Sequence, residues 1–231
     1  MAHRGAAAVV VTAMAAAVVV VCGAGEAGSS SQAEAAPARV PSDTLASALL
    51  ATVRGADPVI CELAVRAVDG RHGWSSTADE LAGVGAQLTP VERATIHWAV
   101  DSDEADDAAA VEPLAAALAD SDACVRRMAA LKLGRSGAPG AIAALRAALR
   151  APAAEQRSVG ALGLGYAEDP AAVGDLGDAL DDSSPEVRAA TAWALGQIED
   201  PTAIPLLIPV LEGDADPGVR RVAAWALGEI E

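Results

Sequence analysis

The sequence has no phenylalanine, one tyrosine and a single lysine, Lys132. Aromatic residues make up 2% of it, yet 52% is hydrophobic, mostly alanine, valine and leucine. With so few aromatics, small apolar residues build poor sandwiches or barrels. Small apolar residues instead suit short helices packed closely together. Positive charge is scarce too, with 16 Lys and Arg against 32 Asp and Glu and a formal net charge of −16. Such a chain repels phosphate backbones, so nucleic acid is not an expected partner, and it repels anionic lipid surfaces as well. No H-E-x-x-H or C-x-x-C motif is present, and His72 and His97 are the only histidines beyond the N-terminal segment. No catalytic constellation, metal site or cofactor is expected, and the chain reads as a protein that is not an enzyme. Cysteine is also sparse. Cys61 and Cys124 read as small buried hydrophobes, with pairing in an oxidising compartment the alternative.

What is present begins with a basic MAHR and an uncharged run, Ala6 to Val21. Small and polar residues follow. A basic start, an apolar stretch and small-residue sites have the form of a secretory signal. Ala33-Glu34-Ala35 fits a cleavage site, with Gly25-Glu26-Ala27 a second. Residues 1–35 are therefore expected to be a signal peptide or membrane anchor, and 36–41 a spacer. An uncleaved anchor, or a lipid on Cys22 after Val19-Val20-Val21, is the alternative. The expected location is periplasmic or extracellular.

The rest of the chain repeats itself. Stepping back from Arg188 by 31 residues gives Arg157 and then Arg126. The same step links Gly196, Gly165 and Gly134, and Leu180, Leu149 and Leu118. A last copy follows with one residue inserted around Gly213–Asp216. Each copy carries I/V-x-x-L-x-x-x-L and then V-R-x-x-A-x-x-A-L-G, two helical patterns separated by turn residues. Asp-Pro recurs at helix starts (Asp169-Pro170, Asp200-Pro201, Asp216-Pro217). Aspartate caps free N–H groups there, and proline fits the first helical position. Helices of about a dozen residues are marginal alone and must bury their faces on neighbours, so the units are expected to stack. The fold expected is all-α, an α-solenoid of antiparallel helix pairs. Its copies are placed at about 107–137, 138–168, 169–199 and 200–231, after a divergent helical cap at 42–106. The glycine in each copy is expected to let the next repeat approach closely.

The units DPAAVGDLGDALDDSSPEVRAATAWALGQIE and DPTAIPLLIPVLEGDADPGVRRVAAWALGEIE resemble HEAT repeats, most of all the short bacterial repeats of phycobilisome-lyase type. The resemblance implies a right-handed superhelix whose second helices line a concave face, and a protein bound along that face. It also implies another role, an accessory subunit of a bilin lyase-like enzyme; a separate alternative is the sensor or regulatory domain of a peptidase system whose catalytic part lies on another chain.

Two sets of residues stand out as candidates. The arginine ladder, Arg126, Arg157, Arg188 and Arg220, either binds an acidic partner or locks repeat to repeat. Trp193 and Trp225 replace the earlier Leu131 and Leu162. On a helical wheel Trp193 lies at about 240° from Val187, on the flank of the buried face, with Gln197 at about 280°. That position suits packing between adjacent second helices. It also suits a hot spot for a partner. The partner-binding set is Trp193, Trp225, Gln197, Arg188, Arg220 and Arg221, and the final repeat's outer edge is a candidate for self-assembly. Pro209, inside IPLLIPVL, is expected to bend or break its helix near Ile208. The acidic run Asp101–Ala110 reads as a solvated linker without the spacing of a calcium loop.

Overall fold

The computed structural model describes residues 40–69, 94–95, 98–99, 108–138 and 140–230. The expected signal segment, Cys22, His72 and His97 lie outside these residues, as does most of Asp101–Ala110. No described helix is long and apolar enough to cross a membrane. Every regular element described is helical. The chain divides into two compact units, 1–101 and 102–231.

The first unit contains α1 (Ser42–Val53) and α2 (Pro58–Asp69). Leu45, Leu49, Leu50 and Val53 bury one face of α1, and Cys61, Ala64, Val65 and Val68 one face of α2. The turn between them uses Gly55 at φ 72°, a left-handed conformation that glycine adopts without a Cβ clash. Asp57 then accepts a hydrogen bond from the Val59 amide at 2.9 Å, capping α2.

The second unit is a stack of four helix pairs. They are α3 (Ala108–Ala117) with α4 (Ala123–Arg135), α5 (Ala141–Leu149) with α6 (Ala154–Ala167), α7 (Val173–Ala179) with α8 (Pro185–Ile198), and α9 (Ile204–Gly213) with α10 (Pro217–Glu229). The core runs through the stack as one leucine per layer, Leu114, Leu145, Leu176 and Leu207, each essentially inaccessible. The second helices supply a parallel row, Leu133, Leu164 and Leu195, equally buried.

The aspartates cap as the sequence suggests. Asp169 accepts from the Ala171 amide and Asp200 from that of Thr202. Asp216 accepts from Gly218 and Val219, and Asp122 from Cys124 and Val125. Two details differ from a plain helix pair. After Asp169 and Asp200 the chain makes a short 3-10 turn, Pro170–Ala172 and Pro201–Ala203, before the α-helix begins. And α6 and α8 end on Glu168 and Glu199 at φ 51° and 54°, a left-handed position usually held by glycine.

Two expectations need correction. First, α9 does not break near Ile208; it runs through Pro209 to Gly213. Pro209 lies on the exposed side, as does Pro205, whose carbonyl loses its helical donor. The exposed side leaves that oxygen open to solvent. Second, Cys61 and Cys124 are each disulfide-bonded rather than free core thiols. Both are also buried, at 6% and 4% exposed.

Candidate functional site

The second helices pack directly on one another, α4 on α6, α6 on α8 and α8 on α10, whereas the first helices of successive pairs meet more sparsely. The stack therefore closes up on the second-helix side, and those helices form its inner layer.

Glycine makes the close approach possible. A methyl group on Gly165 would lie 2.8 Å from Cα of Ala194, and one on Gly196 would lie 2.8 Å from Cα of Ala226. Neither gap accommodates a side chain. The tryptophans complete this joint. Cζ3 of Trp193 stands 2.9 Å from the Cβ that Gly165 lacks, and Cζ3 of Trp225 stands 3.0 Å from that of Gly196. Each indole thus lies across the glycine of the preceding repeat. Trp193 also meets Tyr166 edge to face, with centroids 5.1 Å apart at 66°. Trp193 and Gln197 are half-buried in this inner layer, while Trp225 is 37% exposed.

The arginines tie each repeat to itself and to the next. Nη1 of Arg157 donates to the carbonyls of Ala151 and Pro152, and Nη1 of Arg188 to that of Asp182. The remaining edge of the guanidinium reaches forward. Arg157 donates from Nε and Nη2 to Asp182 at 2.6 and 2.9 Å. Arg188 does the same to Asp214 at 2.7 and 2.9 Å. The arginine hydrogen bonds hold both carboxyls below the usual carboxylate range. Arg188 is thus engaged within the stack.

The two ends of the ladder are incomplete. Arg126 bonds its own turn at Asp120 and Ser121, but Ala151 stands where the next aspartate would be, and Arg126 Nε is buried without a partner. Arg220 bonds the carbonyls of Asp214 and Ala215, and no described acceptor meets its Nε or Nη2. Arg221 is exposed on α10.

A second bridge, unforeseen from the sequence, joins the first helices. Asp175 on α7 pairs with Arg146 Nε on α5 at 2.7 Å and with Arg150 at the C-cap of α5. Arg146 also donates to the Ala171 carbonyl at 3.0 Å. The only signal for it was two arginines four apart on one helix face, which by itself names no partner.

Residues 148–228, about a third of the chain, match the family model described as HEAT repeats. Among solved structures the chain is similar to one in the complex of CpcE and CpcF of phycocyanin lyase from Nostoc sp. PCC7120. Identity is 26% and the TM-score 0.45, over 76% of this chain and 66%, just under two thirds, of that one. It is also similar to human deoxyhypusine hydroxylase in complex with glycerol, at 23% identity and TM-score 0.43, over 82% of this chain and 78% of that one. No curated protein matches the sequence.

Proposed function

We propose that this protein is a non-catalytic scaffold that holds another protein along the inner layer of its HEAT repeats. One observation carries the reading. The second helices α6, α8 and α10 pack side by side into a continuous surface on which Tyr166 and Trp193 are half-buried and Trp225 is exposed. Aromatic side chains are among those that most often anchor protein interfaces. Gln197 and Arg221 supply polar groups beside them.

The place of work in this reading is outside the cytoplasm. The leader-like Ala6–Val21 supports it, and so do two disulfide-bonded cysteines, a state that oxidising compartments maintain. Protein isolated from the host would begin near Ala36 and show no free thiol when denatured without reductant. An N-terminus at Met1 with titratable thiols would overturn the exported location.

The binding test is capture from host extract with the native chain and with a Gln197→Arg/Trp225→Ala variant. Both changes sit at the surface of the inner layer, and circular dichroism would confirm that the variant folds. A protein held by the native chain and lost from the folded variant supports the reading. A protein held equally by both moves the site elsewhere, and retention of nothing by either removes the scaffold role.

A further inference from the structure

The last helix differs from its equivalent one repeat earlier in a patterned way. On α8 the positions Ala189, Trp193 and Gln197 are half-buried and uncharged. On α10 the same positions are Arg221, Trp225 and Glu229, all exposed. They are spaced four apart and so lie in one row along the helix. Ala224 and Gly228, also exposed, lie beside that row and leave it low-walled. Neither Arg221 nor Glu229 forms an ion pair within the described residues. Ile208 on α9 of the same repeat is also exposed, at 42%.

The row Arg-Trp-Glu is its own complement when read backwards. Two such helices laid antiparallel about a two-fold axis at Trp225 bring Arg221 of each opposite Glu229 of the other, twice. Trp225 then meets its own copy on the axis, where offset or edge contact of the rings is favourable. The arginine stems flank the rings, a cation–π geometry. A parallel arrangement would instead set like charges opposite one another. A two-fold interface requires one patch that complements itself, and this row does so by charge and by size.

We propose that the α10 row is a homotypic interface, and that its occupant is a second copy of this chain in antiparallel register. This rests on the scaffold reading and names the occupant of its last helix. It also explains why a chain with a net charge of −16 carries an unpaired arginine and an unpaired glutamate here: general repulsion between copies is overcome only by a specific pairing.

Charge reversal tests it on the purified chain, by sedimentation velocity at near-physiological salt from low to several hundred micromolar. The native chain is expected to pass from monomer to dimer. Arg221→Glu alone and Glu229→Arg alone are each expected to weaken association about tenfold or more, because each turns two attractive contacts into two repulsive ones. An equimolar mixture of the two single variants should dimerise again. Position 221 of one copy, now acidic, then faces position 229 of the other, now basic, while the native Glu229 of the first faces the native Arg221 of the second. The double variant should also recover. A native chain that stays monomeric throughout would overturn the proposal and leave the row to a different protein. So would a dimer indifferent to both single changes, or one that mixing does not restore. Sedimentation reads self-association through Arg221 and Glu229 whereas capture reads a different protein, so the scaffold reading can survive the loss of this one.

Discussion

Arg188 of the third repeat and Asp214 of the fourth form a two-point bridge, Nε to Oδ2 at 2.7 Å and Nη2 to Oδ1 at 2.9 Å. Arg157 and Asp182 form the same bridge one repeat earlier. The next step back is broken by Ala151, which leaves Arg126 Nε buried and unpaired. Ala151→Asp should therefore complete the ladder. The expected gain is about 1 kcal/mol, the worth of a well-formed charge-assisted pair at a partly exposed site. Urea unfolding measures it, with Arg126→Met as background. If Ala151→Asp gains as much in that background, the fork is not what it satisfies.

The same bridges set the response to acid. Asp182 and Asp214 are held below their ordinary value near 3.8, chiefly by the arginine hydrogen bonds. A depressed folded-state pKa contributes stability that is present above the unfolded-state pKa and is lost as pH falls through the folded one. The melting temperature should thus be insensitive to these groups at neutral pH and fall steeply below about pH 4. Asp214→Asn should flatten that slope while lowering the neutral-pH value. An unchanged acid slope in Asp214→Asn would show that the bridge does not couple to folding.

How far the sequence reveals this molecule follows from which interactions repeat. The glycine seat, the buried leucines and the capping aspartates recur at a fixed spacing, so they are readable without coordinates. The forward reach of each arginine is harder. Its carboxylate lies some 25 residues on, and only the register of Asp182 and Asp214 betrays it. The Asp175 bridge occurs once and has no periodic signal. The left-handed Glu168 and Glu199 defy residue preference, because the tight turn into Asp-Pro imposes φ > 0 on whatever residue stands there. The disulfide-bonded state of Cys61 and Cys124 follows from no spacing at all. Trp193 and Trp225 are legible as flank residues, but that they lie over the preceding repeat's glycine needed the structure.

Gly196 and Gly228 occupy equivalent places with opposite surroundings. A methyl group on Gly196 would strike the backbone of Ala226, whereas one on Gly228 would meet nothing within 4 Å. Gly196→Ala should destabilise by about 1–3 kcal/mol, the range for overpacking a tight joint. Gly228→Ala should be neutral or stabilise by up to about 1 kcal/mol through helix propensity. Thermal melts at low protein concentration compare them. Equal effects would mean that the second helices are not in the close contact described.

Lys132, the chain's one lysine, is 9% exposed on α4. Burial is the main cause, with Arg135 nearby, of a pKa lowered to about 8. Here the unfolded state keeps its proton to higher pH than the folded state does, so stability should rise with pH between about 8 and 10.5. A single lysine yields a single side-chain resonance in lysine-labelled protein, and its titration midpoint reads the pKa directly. A midpoint above 10 would place the amine in water.

Pro209 stands in the middle of α9, where it denies the Pro205 carbonyl its donor. Since α9 continues unbroken, the strain is borne rather than relieved by a break. Pro209→Ala restores the N–H without altering any buried contact, because the position is exposed. The variant should raise stability by about 1–3 kcal/mol, at or below the full penalty of an interior proline because the free carbonyl lies on the solvent-exposed side. The gain should appear as slower amide exchange at residue 209 and its neighbours in α9, with α5 and α7 unchanged. A loss of stability would show that the ring itself packs against something and that the helix is shaped around it.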